Sequence, residues 1–284
     1  MNESGILIVG ANGQLGKALQ ARYPKAKAVD IDTFNVGDRA AVESYNWSGI
    51  TIILNAAAYT NVDGAETHEG RIIAWQANAV APANLARIAQ QKDITLVHIS
   101  TDYVFDGTQN PHLEDEPFSP LSVYGTSKAA GDIAVSLAPK YYILRTSWVI
   151  GDGKNFVRTM LELGQKGVNP TVVSDQVGRL TFTSELVRAI VHLLDKDAPH
   201  GMYNVSNDGG SESWADITRT IFKEAGLSNT VTDISTVDYY QNKENIAPRP
   251  SQSTLSLDKI KGTGFVPKEW SDNLKSYLKK ELSV

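Results

Sequence analysis

Tyr124 and Lys128 follow, at no great distance, the run Ser100-Thr101-Asp102-Tyr103-Val104-Phe105-Asp106-Gly107. On a helix, a Tyr and a Lys at this spacing share one face, a turn apart. A free phenol titrates near ~10, too high for an efficient acid–base group at neutral pH. A neighbouring ammonium favours the phenolate and lowers that value. Thr101 offers a hydroxyl to orient the oxygen that takes the proton. The chemistry these residue types suggest is proton donation from Tyr124 to a carbonyl oxygen while a hydride reaches its carbon. Spacing alone is weak, because Tyr-x-x-x-Lys also occurs at Tyr23/Lys27 and Tyr239/Lys243. Tyr23 precedes Pro24 at the end of the first helix, and Tyr239 lies in a polar stretch with no strand feeding it. Context singles out Tyr124.

The elements around these residues support that choice. Ile94 to Ile99 reads as a buried strand, which places Thr101 and Asp102 at its carboxyl end, where open parallel sheets bind ligands. Pro120 and Ser122 mark a helix start, and Leu121 to Leu137 continues in helical spacing. At the amino terminus, the apolar stretch Gly5 to Gly10 runs into Gly10-Ala11-Asn12-Gly13-Gln14-Leu15-Gly16 and then a helix. Strand, glycine-rich turn and helix form the first unit of a dinucleotide-binding fold, in which glycines let the backbone approach a pyrophosphate. Ala26 to Asp32 is a second strand ending in Asp30 and Asp32. An acid there suits the adenosine ribose of NAD, whereas Lys17 beside the turn suits a 2′-phosphate, so cofactor preference stays open.

Ile50 to Leu54 forms a third strand, leading into Asn55-Ala56-Ala57-Ala58-Tyr59-Thr60. These small side chains either let a flat cofactor lie close or pack against a helix. A helix follows over about 71–91, in which Pro82 should kink or divide the pattern. Asn78 within it either ties the helix to the active-site strand or is merely exposed. Tyr141 to Arg145 is a further strand, closing as Thr146-Ser147-Trp148, where Trp148 either stacks on a ligand ring or fills core. Pro248-Arg249-Pro250 makes a rigid turn in which Arg249 is a phosphate clamp or a surface residue. Strands alternate with helices almost throughout, which predicts a doubly wound α/β fold with a parallel, Rossmann-type sheet.

Composition narrows the class. The 284 residues are 42% hydrophobic and 21% charged with a net charge of −5, which argues against nucleic acid or an anionic membrane as partner. The absence of cysteine excludes thiol catalysis and disulfides. Met1-Asn2-Glu3-Ser4-Gly5 lacks a basic leader, no apolar run nears the ~20 residues of a membrane span, and a cytoplasmic location is the expectation.

The glycine-rich run, with Asn55-Ala56-Ala57-Ala58-Tyr59-Thr60, Ser100 to Gly107, Tyr124-Gly125-x-x-Lys128 and Arg145-Thr146-Ser147-Trp148, resembles the dTDP-4-dehydrorhamnose reductase family of extended short-chain dehydrogenases/reductases. The match spans essentially the whole chain; the glycine-rich and Tyr-x-x-x-Lys motifs are shared by many nucleotide-sugar enzymes, whereas the Ser-Thr-Asp-Tyr-Val-Phe and Arg-Thr-Ser-Trp runs together are much more specific. The resemblance implies reduction of the C4 ketone of dTDP-4-dehydro-L-rhamnose by NADPH or NADH. Tyr124 would donate the proton, Lys128 would hold the nicotinamide ribose and tune Tyr124, and Thr101 would contact the reacting oxygen. Gly10, Asn12, Gly13, Gln14, Leu15, Gly16, Asp30, Ala56, Ala57, Ala58 and Thr60 would surround the dinucleotide. Asp102 and Trp148 would line the sugar pocket, and Arg179 and Arg249 would face the nucleotide diphosphate. The implied layout is a dinucleotide-binding domain over 1–148, with later returns around 177–205, and a smaller, partly intercalated nucleotide-sugar region over 149–284. The family pattern has a small residue and a proline after Asp-Gln-x-Gly, where this chain has Arg179-Leu180. A homodimer is left open. No metal is carried over, since the acidic residues some members place around magnesium have no secure counterpart here. An epimerase of the same fold and a non-catalytic NADP-binding regulatory subunit are the competing readings.

Overall fold

Alternation of apolar residues builds the centre of the molecule. The computed structural model describes residues 2–241 and 243–283. In β1 (Ile6–Val9), Ile6 and Ile8 join one buried cluster while Leu7 and Val9 join another on the opposite face, as a side-chain period of two requires. With β2 (Lys27–Val29), β3 (Ile52–Asn55), β4 (Thr95–Thr101), β5 (Tyr141–Thr146) and β10 (Gly201–Asn204) it forms a six-stranded sheet, order β10-β5-β4-β3-β1-β2. Every neighbouring pair is parallel. Strands run both ways from β1, which leaves a crevice at the carboxyl ends of β1 and β3.

Helices cover both faces, giving the doubly wound α/β fold that the alternation predicts. Side chains of α1 (Gln14–Arg22) and α7 (Thr183–Asp195) pack on one face; those of α2 (Arg39–Ser44), α4 (Ala81–Lys92) and the end of α5 (Val123–Val135) pack on the other. Three short pairs lie outside the sheet: β6 (Val149–Ile150) with β9 (Thr181–Phe182), β7 (Thr171–Val173) with β12 (Thr232–Ile234), and β8 (Val177–Gly178) with β11 (Glu212–Ser213). A separate core, including Leu161, Phe222 and Leu274, is enclosed by α6 (Phe156–Gln165), α8 (Trp214–Glu224) and α11 (Trp270–Leu282). The chain returns to the sheet with α7, β10 and Ile260 of α10 (Asp258–Gly262). Tyr239, in α9 (Thr236–Tyr240), does have a strand ahead of it, β12, but one that pairs only with β7 away from the sheet.

The helix expected over 71–91 is divided. α3 (His68–Trp75) passes through a π-helical turn, Gln76–Val80, into α4. Pro82 falls in the first turn of α4; helical backbone runs unbroken into it, with Ala81 N donating to Gln76 O, so its missing N–H frees a carbonyl of the preceding turn, where the ladder widens to π spacing. The wider turn points Asn78 inward, fully buried. Its side chain accepts from Tyr59 N at 2.9 Å and donates to Tyr59 O and Ser127 Oγ at 3.1 Å each. Asn78 is therefore not exposed, but it ties its helix to the loop after β3 and to the Tyr124 helix rather than to the active-site strand. α5 lies so close that a Cβ at Gly131 would stand 2.1 Å from the Asn78 carbonyl oxygen. Among the described residues no helix is long and apolar enough to cross a membrane. Replacing Asn78 by Ala removes all three bonds and leaves partners unpaired, so it should lower unfolding stability by roughly 2–4 kcal/mol, read as a shift in urea midpoint.

Candidate active site

The glycine-rich turn is shaped by close approach. Gly10 has φ +82°, and a Cβ there would lie 2.5 Å from Ala57 N. A Cβ at Gly16 would lie 2.0 Å from the Gly10 carbonyl oxygen. These two positions bring α1 against the sheet, while exposed Gly13 caps α1 without a side-chain bond. The amide groups of the first turn therefore open onto the crevice, a ready anion site. Asp30 follows β2 and accepts from Asn12 N at 2.8 Å, and Gln14 Oε1 accepts from Gly151 N at 2.8 Å. A cradle that any side chain would fill, a helix amino terminus and an acid at the end of the second strand fit a dinucleotide.

The crevice widens into a cleft of about 450 Å³, in the range of small-molecule sites. Gly13, Gln14, Leu15, Ala56, Ala58 and Thr60 line its side next to the glycine turn. Thr101, Asp102, Tyr124, Lys128 and Trp148 close the other, so the residues expected to do chemistry do converge. Gly10, Asn12, Gly16, Asp30 and Ala57 are not part of the lining; they shape it from behind. Ala57 donates its N–H to Asn55 Oδ1 at 3.2 Å and packs into the core.

Tyr124 sits in the first turn of α5, which Ser122 caps by accepting from Gly125 N at 3.1 Å. Gly125 permits this start, since a Cβ there would meet the Tyr103 carbonyl oxygen at 2.2 Å. Burial pushes the Tyr124 phenol well above its usual range, opposed by a hydrogen bond with Thr101. This corrects the expectation that the Lys128 ammonium would lower it. Lys128 Nζ instead donates to the Ile99 carbonyl at 2.6 Å, and burial lowers its own pKa to about 8 against the pull of Asp132. Tyr124 is thus a protonated phenol at neutral pH, as a proton donor must be. Burial also raises Asp102, to about 6, against the opposing pull of the neighbouring Ser253 and Thr101 hydroxyls. Thr101 Oγ1 donates to Asp102 Oδ1 at 3.0 Å, and the other oxygen, Oδ2, is buried without a partner.

Trp148 lines the cleft from a left-handed backbone, φ +46°, a conformation that strains a bulky residue and persists only when surroundings enforce it. Its ring stacks on Trp214 at 3.6 Å and 19°, and a Cβ at Gly178 would touch it at 3.1 Å. The sequence reading missed Trp214. Nothing local marks it, because its role arises only when α8 packs beside the end of β5.

The two arginines expected to face a diphosphate do not line the cleft. Buried Arg179 donates to the Leu255 carbonyl and approaches Asp208 Oδ1 at 3.4 Å. Away from water its charge needs these partners. Arg249 pairs with Asp63 Oδ2 at 2.8 Å and lies over the Tyr240 ring at 5.0 Å. Both charges are answered by the protein itself.

The chain matches, over residues 4–283, the model of a family described as RmlD substrate binding domain. It belongs to that family. The RmlD-family chain is 37% identical over 288 residues to the spore coat polysaccharide biosynthesis protein SpsK of Bacillus subtilis, with 98% of each chain covered. It is 36% identical to the dTDP-4-dehydrorhamnose reductase of Aggregatibacter actinomycetemcomitans, covering 95% of this chain and 97% of that protein. Among solved structures, dTDP-4-dehydrorhamnose reductase from Bacillus anthracis in complex with NADP superposes with a TM-score of 0.89 at 34% identity, covering 97% and 98% of the two chains.

Asp102 gives the RmlD-family site a pH signature. Its carboxyl is raised above the unfolded value near ~3.9, so the charged form is penalised only in the folded state. That penalty is absent below pH ~4, grows up to about 6, and is complete above it. Asp102→Asn should therefore stabilise the protein at pH 7.5 by roughly 1–3 kcal/mol, with the gain shrinking toward pH 4, as read by urea midpoints at both pH values.

Proposed function

We propose that this chain is an NAD(P)H-dependent oxidoreductase that reduces the C4 ketone of dTDP-4-dehydro-L-rhamnose to dTDP-L-rhamnose, with Tyr124 as proton donor. The observation that carries the reading is the meeting of Thr101, Tyr124 and Lys128 in one cleft beside the glycine cradle. Full-length kinship to reductases of this name supports the substrate class.

Gly13, Gln14 and Leu15 at the start of α1, Asp30 behind them, and Ala56, Ala58 and Thr60 would hold NADPH or NADH. The bound nicotinamide supplies the hydride. Burial keeps the Tyr124 phenol protonated until charge develops on the substrate oxygen, and that oxyanion is the stronger base. Thr101, whose hydroxyl lies between Tyr124 and Asp102, orients the oxygen. Lys128 places positive charge beneath Tyr124 as its proton leaves. Asp102 and Trp148 meet the sugar, the first with a free carboxylate oxygen and the second with a flat apolar face. Action in the cytoplasm and assembly as a homodimer belong to the same proposal.

The test is loss of reduced-nicotinamide absorbance with dTDP-4-dehydro-L-rhamnose, wild type beside Tyr124→Phe. The variant should lose at least about 100-fold in kcat while still binding cofactor by fluorescence titration. Full turnover by the variant would remove Tyr124 as donor. Cofactor binding without oxidation by the wild type would remove the reductase assignment.

A further inference from the structure

Behind Tyr124 and Lys128 lies a polar cluster that takes no direct part in the reaction described above. His98, on β4, is fully buried. Its Nδ1 is 2.9 Å from Asn55 Nδ2, and its Nε2 is 3.4 Å from Lys128 Nζ and 4.0 Å from Asp132 Oδ1. The orientation of one amide settles which nitrogen carries the proton. Asn55 Oδ1 accepts from Ala57 N at 3.2 Å, so the Asn55 amide presents its NH2 to His98. A nitrogen facing an N–H donor must accept, and His98 Nδ1 is therefore unprotonated. Burial, with the Lys128 charge second, also keeps His98 neutral. The single ring proton then resides on Nε2 and points toward Lys128.

We propose that Asn55 and His98 are positioning residues for Lys128: by presenting an N–H to its Nζ, they hold Lys128 poised between its charged and neutral forms. This rests on the assignment of Lys128 to the reducing site. An ammonium has only donors to offer, so a facing N–H disfavours it, whereas a neutral amine accepts that N–H through its lone pair. The other titratable groups around Lys128 are Tyr124 and Asp132 on its own helix, Asp102 at the end of β4, and Arg145 of β5, which pairs with Asp132 at 3.1 Å. Asp132 is the group that favours the ammonium. Burial lowers the Lys128 pKa to about 8 against the pull of Asp132, close enough to neutrality for the facing N–H to bear on which form is held. Loss of the ammonium removes the positive charge beneath Tyr124, so activity should decline through an alkaline limb set by Lys128.

Two measurements test this. In protein carrying ¹⁵N-labelled histidine, with His98 identified by its disappearance in His98→Gln, the wild-type ring should show the Nε2–H tautomer and stay neutral across pH 6–9. A proton on Nδ1, or a charged ring, overturns the proposal, and this readout needs no catalysis. The second measurement is kcat against pH. His98→Gln sets an acceptor oxygen near the Nε2 position, and Asn55→Asp draws the ring proton to Nδ1, leaving Nε2 to accept. Each variant should move the alkaline limb upward by about one unit, a roughly tenfold gain on that limb relative to the variant's own plateau. A uniform loss at every pH with the limb unmoved marks a purely structural role and overturns the proposal. Absence of wild-type turnover defeats the reductase reading instead, while the tautomer result stands by itself.

Discussion

An ammonium sealed from water is the constraint on which the rest of this structure turns. Lys128 is 1% exposed, and a charge so placed persists only where protein groups replace the lost hydration. The Ile99 carbonyl and the Asp132 carboxylate do so. Asp132 also answers a second buried cation, Arg145, whose guanidinium lies against the Phe105 and Phe118 rings at 5.1 and 4.9 Å. Removing either partner strands a charge in the interior. The cluster fixes register as well, because Ser100 stands opposite Arg145, and Thr101 opposite Thr146, across β4 and β5. A slip of β4 by one residue would turn His98 and Ser100 away from the face that carries Arg145 and take Thr101 away from Tyr124.

The same accounting explains the arginines. Arg179 and Arg249 carry charges that a diphosphate would welcome, yet each is spent on a carboxylate that links segments far apart in sequence, Asp208 and Asp63 respectively. The second pair fastens the turn around Pro250 to the loop after β3, and Gly107 lets that turn come close, since a Cβ there would meet Pro250 at 2.7 Å. The cleft wall thus owes its shape to contacts between the sheet and the later part of the chain.

Much of this was legible from local pattern. The glycine cradle, the Ser-Thr-Asp strand end and the Tyr–Lys pair are each coded within a few neighbouring residues, and periodicity placed the main strands and helices around them. What escaped the sequence depends on long-range contact. Asn55 and His98 lie on adjacent strands and meet only across the sheet, and Trp214 matters only beside Trp148. The two-residue strands β6, β8, β9 and β11 are too short to carry a period. The direction of the Tyr124 shift was misjudged for a related reason. Spacing reveals a neighbouring ammonium but not the depth of burial, and here burial prevails.

The stacked pair of Trp148 and Trp214 couples those two regions in an optical sense. One indole follows β5 in the cleft wall and the other begins α8, with ring centres only 3.6 Å apart. At that separation their excited states mix, and the near-ultraviolet circular dichroism of such a pair depends on the angle between the rings. The molecule therefore carries a label-free goniometer where α8 meets the cleft wall, sensitive to any turn of that helix against the end of β5.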